Sequence, residues 1–335
     1  MNYVSGEILT TNGFKKGYLG FEKGKIFEIG KNNPPKKPVC QGLIVPSFVN
    51  AHTHIGDSFI KKMNVRLPKD IEKLVSPSKG LKHRLLSEAS DDDIIDGMEE
   101  SIDIMIRSGT KHFCDFRENG ILGISQIKTA LQLWNIYSVI LSRPGSLTYN
   151  KNEMDLLLKN SDGTGLSSIS DWDCSELKKV AKHTKNKKKI FAIHASERIR
   201  EDIDTVLDLK PDFLVHMTKA EESDFIRVKE FNIPIVLCPR SNSFFGLKPN
   251  IKLMRKSGVK LLLGTDNSMM NSPNILEELK YLKTITSIFS NEQLLTMITY
   301  NARKALNLSP NILGPNSPAD FVVLDKNNLE TLYIS

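Results

Sequence analysis

The sequence predicts an α/β protein: a (β/α)8 TIM barrel carrying a small β-sandwich domain assembled from both chain termini. Three observations predict it. The middle of the 335-residue chain alternates short apolar runs of strand type with stretches of helical period, the signature of βα units around a parallel sheet. Eight such runs can be counted, the number that closes a barrel. A barrel needs roughly 250 residues, which leaves material for an appended unit.

In chain order, Ile8-Leu9-Thr10 and Gly17–Phe21 read as strands, punctuated by the hairpin-type pairs Asn12-Gly13 and Lys23-Gly24. Asn32-Asn33-Pro34-Pro35 breaks the pattern, and Ala319–Asp325 is a further strand after a Gly-Pro-Asn-Ser-Pro turn. Neither end could bury much core alone, so residues 1–45 and 310–335 are expected to form one small β-domain around an inserted barrel, 46–309. Barrel strands are expected near 44–50, 111–116, 136–141, 164–169, 190–194, 212–216, 233–238 and 259–265. Helical stretches are expected at 88–108, 123–133, 173–184, 198–208, 220–231, 248–257 and 272–286, with one more at 291–307. The basic stretch 55–87 lacks clear periodicity, and a loop of that length is a candidate for shaping a pocket.

Hydrophobic residues make up 40% of the chain and charged residues 25%, an ordinary globular balance. No run approaches the roughly 18 apolar residues of a membrane span, and the N-terminus lacks a signal-peptide pattern, so a cytoplasmic location is expected. Cys40, Cys114, Cys174 and Cys238 are scattered without a C-x-x-C pair, which argues against a zinc ribbon and a disulfide framework. The net charge of +7 comes from dispersed lysines; the one tight run, Lys187–Lys189, has no aromatic partners and reads as a solvated turn. No nucleic-acid partner is expected. A small molecule is, and a homodimer is left open.

Position makes four of the seven histidines informative. His52 and His54 close the first barrel strand, His194 the fifth and His216 the sixth; Asp266 follows the eighth in Gly264-Thr265-Asp266. Those strand ends share one rim, where barrels build active sites. Residues two apart in an extended segment face the same way, so His52 and His54 can share an ion. A lone histidine at a strand end is usually a hydrogen-bonded structural residue, but four with a carboxylate at one edge point to a metal. His83, His112 and His183 lie in loop or helix-adjacent segments and keep the structural role.

These residues also carry a resemblance. Gly42–His54 is similar to a G-x-x-x-x-P-G-x-x-x-x-H-x-H opening, with Ser47 where Gly is usual; His194–Glu197 resembles an H-x-x-E segment. Leu214-Val215-His216, Cys238-Pro239-Arg240-Ser241-Asn242, Leu263–Asp266 and Asn301–Leu306 through Pro318–Asp325 follow in the same order. Together they resemble the amidohydrolase superfamily, in its cytosine deaminase, S-adenosylhomocysteine deaminase and chlorohydrolase-like branch.

The resemblance implies one divalent metal ion per chain, zinc in the first place and iron as the alternative, held by His52, His54, His194 and Asp266. His216 would be a ligand or a group that polarises the substrate. Strand four, Thr164–Ser170, has neither the lysine nor the glutamate that bridges two ions in binuclear relatives. A metal lowers the pKa of bound water to roughly 7, and Asp266 can take its proton. Glu197 would be the proton shuttle; its competing role is a helix-start carboxylate favoured by the helix dipole. Arg117, Arg240 and Asn242 lie on the rim as substrate-binding candidates, Arg143 less strongly. For Arg117 the alternative is an ion pair with a rim carboxylate. The expected reaction is hydrolytic deamination of a nucleobase-like or other nitrogen heterocycle. Hydrolysis of a cyclic amide or imidazolone, dechlorination, and a non-catalytic metal-binding barrel are the alternatives.

Overall fold

The computed structural model describes residues 1–77 and 79–335. Strands β1 (Asn2–Thr10), β2 (Gly13–Glu22), β3 (Lys25–Gly30) and β4 (Cys40–Pro46) open the chain. Nine parallel strands follow: β5 (Phe48–His54), β6 (Thr110–Arg117), β7 (Tyr137–Ser142), β8 (Gly163–Leu166), β9 (Ile190–Ala195), β10 (Phe213–His216), β11 (Ile235–Leu237), β12 (Leu261–Leu263) and β13 (Asp266–Asn267). β14 (Phe321–Leu324) and β15 (Thr331–Ile334) end it. β12 and β13 are two halves of the eighth barrel strand. The first half pairs with β11 and the second with β5, which joins the last strand to the first.

The terminal strands form one six-stranded mixed sheet in the order β15-β14-β4-β1-β2-β3. The expected sandwich is thus a single sheet curled on itself. Phe21 on β2 meets Phe321 on β14 with ring centroids 5.1 Å apart, although two strands separate them in the sheet. Val4, Leu19, Ile26, Ile44 and Val323 fill the fold of that curl.

The run expected as one strand, 44–50, is divided at Ser47. Pro46, which has no N–H to give a ladder, ends β4. The Ser47 N–H then bonds the Asp320 carbonyl (3.1 Å) while the Phe48 N–H bonds Gly109 (3.0 Å), so the chain leaves one sheet and enters the other within two residues. Inside the barrel, Val49, Ala51, Cys114, Phe116, Leu141, Ala192, Phe213, Val215, Val236 and Leu262 form a packed plug. A larger apolar layer lies between strands and helices.

The helix Asp91–Arg107 starts on Ser90, whose Oγ accepts from the Asp93 N–H at 3.1 Å, with three aspartates in its first turn. A helix at Lys151–Asn160 was not expected, although its signals are in the sequence. Asn150 caps Glu153, and Met154, Leu157 and Leu158 recur at helical spacing on the buried face. The stretch 291–307 is two helices, Asn291–Met297 and Tyr300–Ala305; the break frees the Ile298 carbonyl to accept the Val49 N–H at 2.8 Å. Helix 198–208 shortens to Ile203–Asp208. The stretch 55–87 contains a 3-10 turn, Ile55–Met63, and two helices, Ile71–Val75 and Leu81–Glu88. No helix among the described residues is long and apolar enough to cross a membrane.

Candidate active site

Four barrel strands deliver the five residues of the predicted cluster. β5 brings His52 and His54, β9 His194, β10 His216 and β13 Asp266, and all are buried or nearly so. His216 (φ 74°) and Asp266 (φ 60°) sit in the left-handed region, which costs a residue with a Cβ about 1 kcal/mol or more. The surrounding sheet holds that strain at the end of β10 and at the junction between the two halves of the eighth barrel strand. Gly264 is required by close approach: a Cβ there would lie 2.6 Å from the His52 Cβ.

One donor atom each from His52, His194, His216 and Asp266 lies within 4.8 Å of the others. His52 Nε2 is 3.2 Å from His194 Nε2 and 3.3 Å from Asp266 Oδ1. His54 Nε2 stands 3.6 Å from the same Asp266 oxygen. Phe116 packs edge-on beneath His52 and His194, with centroids at 4.4 and 5.1 Å.

Hydrogen bonds at the far ring nitrogens distinguish the histidines. His194 Nδ1 donates to the Leu166 carbonyl at 2.7 Å, and His54 Nδ1 faces Glu118 Oε1 at 2.8 Å. Neither acceptor can donate, so both rings keep an Nε2 lone pair directed at the cluster, as a metal ligand requires. His216 differs. Asn242 Nδ2 approaches its Nδ1 at 3.3 Å, so with that amide orientation the ring carries its hydrogen on Nε2, 3.5 Å from Glu197 Oε1. His216 then faces the cavity as a hydrogen-bond donor. His52 Nδ1 is buried with no partner among the described residues.

Electrostatics sort the same groups. Burial, followed by neighbouring imidazoles, pulls His194 well below its usual pKa. Burial and the Lys82 charge lower His54, and burial takes His216 down to about 3. All three are therefore neutral at pH 7, the ligand form. Burial opposes ionisation of Asp266, but the His52 hydrogen bond, followed by electrostatic attraction to the surrounding imidazole rings, holds it well below the ordinary carboxylate range. Ser241 Oγ donates to its other oxygen. Burial and the Asp266 charge push Glu197 well above that range. Two carboxylates with opposite shifts at one cavity are how acid and base roles are divided. His52, His194 and Asp266, with His216 in the compact group and His54 just outside it, offer the imidazoles and carboxylate that suit a first-row divalent ion.

The cavity above the cluster is lined by His54, His194, His216, Asp266 and Glu197, by Ile71, Val75, Lys82 and His83 from the 55–87 stretch, and by Arg143, Asp171 and Arg198. The long stretch after the first strand does shape the pocket. Glu197 lies on a bend, with the nearest helix beginning at Ile203, so no helix dipole acts on it.

Two of the expected substrate-binding residues, Arg117 and Arg240, are held in ion pairs outside the main cavity. The Arg117 guanidinium is buried beneath the rim against Glu118 Oε2 (2.7 Å) and Asp115 Oδ1 (3.4 Å); it does not line the main cavity but borders a small adjoining pocket with His54, Phe116 and His194. Arg240 turns outward to Glu278, to Glu277 (2.7 Å) and to the Ser272 carbonyl (2.7 Å). In both cases a buried carboxylate competes successfully for the fork of donors. Asn242 is fully buried behind His216. Arg143 lines the cavity and has no ion-pair partner among the described residues. Sequence reasoning missed Lys82, whose ammonium pairs with Glu118 and lies 2.8 Å from Asn267 Oδ1. Nothing in a chain with 46 lysines and arginines marks it out. Phe116 and Ser241 were also missed, though Phe116 adjoins Arg117 and Ser241 lies within the Cys238–Asn242 segment.

The amidohydrolase family model matches residues 43–334. A Methanocaldococcus jannaschii protein is 38% identical over 315 residues, covering 88% of this chain and 81% of its own. The 5-methylthioadenosine/S-adenosylhomocysteine deaminase of Caldicellulosiruptor saccharolyticus is 26% identical over 366 residues, covering 95% and 82%. Among solved structures, an adenosine deaminase from Xanthomonas campestris with bound zinc superposes with a TM-score of 0.74 at 16% identity, covering 96% of this chain and 84% of that one. The parallel barrel, the curled terminal sheet and the histidine–aspartate cluster agree with these matches, and the chain belongs to the amidohydrolase family of metal-dependent hydrolases that act on carbon–nitrogen bonds.

Proposed function

We propose that this chain deaminates a small nitrogen heterocycle of the aminopurine or nucleoside type, using one zinc ion held by His52, His54, His194 and Asp266. The observation that carries the reading is geometric: Glu197 lines the same cavity as His54, His194, His216 and Asp266, with its Oε1 3.5 Å from His216 Nε2. The inward lone pairs of His54 and His194 support their part in the ligand set, and the Asn242 contact supports His216 as the group that polarises the substrate.

When bound, the ion makes water nucleophilic at neutral pH. Asp266 receives the proton that water gives up. Glu197 delivers its own proton to a ring nitrogen beside the carbon under attack, passes the hydroxyl proton of the adduct to the departing amine, and is reprotonated by the proton that Asp266 took from water. His216 Nε2–H stabilises the oxygen that remains on the carbon. Water and an amino-substituted ring become a ring carbonyl and ammonia, and Glu197 ends protonated as it began. Arg143 at the wall is the substrate-facing cation of this reading, with Asn242 acting through His216. The barrel is taken as 46–309 with 1–45 and 310–335 as the terminal unit, the setting as cytoplasmic, and the partner as a small molecule.

The test is ammonia release by zinc-loaded protein on adenine nucleosides, aminopurines, pterins and aminopyrimidines. Turnover abolished by chelation and restored by zinc is expected. A zinc-loaded enzyme inert on the whole panel overturns deamination. His54→Ala is expected to lose the metal; full zinc content in that variant removes His54 from the ligand set.

A further inference from the structure

Lys82 lies on the helix Leu81–Glu88, far in sequence from every predicted ligand, yet only 2% of it is exposed. Its ammonium meets three of the groups that surround the metal cluster. One donor reaches Asn267 Oδ1 at 2.8 Å. An ammonium can only donate, so the Asn267 amide oxygen must face it and the amide nitrogen must face away. That nitrogen donates to Asp266 Oδ1 at 2.9 Å, the same oxygen that faces His52 and His54. A second contact is the ion pair with Glu118, whose Oε1 also holds His54 Nδ1 at 2.8 Å. The third partner is Asp57 Oδ2 at 3.5 Å; the other Asp57 oxygen accepts the Met269 N–H at 2.8 Å, two residues past Asn267.

We propose that Lys82 is a positioning residue for the metal site, orienting His54 through Glu118 and Asp266 through Asn267. The inference rests on the metal reading of the preceding section. A single cation from the 55–87 stretch thereby fixes a histidine on the first barrel strand and the carboxylate on the last. Seating of that stretch and correct aim of the ligands become one event. Without the ammonium, Asn267 is free to rotate its amide and present a lone pair to Asp266, which would repel the carboxylate from its place. Glu118 would be left as a buried carboxylate balanced by Arg117 alone.

The test is zinc affinity of the full-length apoprotein, measured by competition with a chromophoric chelator, for wild type, Asn267→Ala, Lys82→Met and the double variant. Asn267→Ala cuts the relay while every buried charge keeps its partner. Each single variant is expected to bind zinc about 10- to 100-fold more weakly, the usual consequence of removing a group that orients a ligand. The double variant is expected to match Lys82→Met within about threefold, because both changes break one chain. A role in stability alone predicts a lower melting temperature with unchanged zinc affinity. Wild-type affinity in Asn267→Ala, or effects that multiply in the double variant, overturns the proposal. If Lys82→Met does not fold, Lys82→Arg takes its place, keeping the charge while replacing the point contact by a planar fork. A wild-type chain that takes up no zinc overturns the metal reading itself, an outcome distinct from strong wild-type binding that the variants leave untouched.

Discussion

His54 and Glu118 meet through Nδ1 and Oε1 at 2.8 Å, so a carboxylate at the end of β6 decides which nitrogen of a β5 histidine is free to bind a metal. Glu118→Gln keeps the shape and removes the charge that holds the Nδ1 hydrogen. Zinc affinity is expected to fall about 10- to 100-fold. Chelator competition on the purified variant checks this, and an unchanged affinity would dismiss Glu118 as an orienting group.

Glu197 and Asp266 border one cavity with opposite shifts. Glu197→Gln is expected to retain zinc and lose at least about 10²-fold in kcat, the scale of a general acid–base contribution. Metal content and steady-state kinetics on the same sample separate the two effects. Wild-type turnover in this variant would take the proton shuttle away from Glu197.

Asn242 controls the tautomer of His216 through a 3.3 Å contact. Asn242→Asp replaces a donor by an acceptor, which moves the His216 hydrogen to Nδ1 and turns an Nε2 lone pair toward the metal cluster. Turnover is expected to drop while zinc affinity holds or rises. A variant that loses zinc and keeps kcat when saturated with metal would contradict the assignment.

Arg240 is tied to Glu278, which is fully buried and pushed up to about 7 by burial even with that partner. Arg240→Met strands this carboxylate. Stability is expected to fall by about 3–5 kcal/mol, the cost of breaking a buried pair, with KM nearly unchanged. Urea unfolding and kinetics decide; a raised KM at wild-type stability would restore Arg240 to the substrate site.

His112, on β6 away from the cavity, is lowered to about 4 by burial and by the charges of Arg303 and Lys111. An unfolded histidine titrates near about 6.5, so the contribution of His112 is complete above that pH and is lost as pH falls from there toward 4. Between pH 7 and pH 5, wild type is expected to lose more stability than His112→Asn. Equal losses by urea titration at the two pH values would show that His112 does not couple to folding.

The sequence by itself determined the parallel barrel and the meeting of His52, His54, His194, His216 and Asp266. Strand period and strand order are local and topological properties, and barrel closure brings strand ends together whatever the loops do. It also carried the signals of the helix Lys151–Asn160, in the Asn150 cap and the Met154, Leu157 and Leu158 spacing, though these went unread. Only the tertiary structure decided where each arginine spends its donors, which histidine nitrogen is free, and that Lys82 reaches the cluster. Arg117 and Arg240 stand on predicted rim segments, but buried Glu118 and Glu278 claim them. Lys82 arrives from a stretch without readable periodicity. Those outcomes are set by competition among charges that become neighbours only when the chain closes, and no local pattern encodes which partner wins.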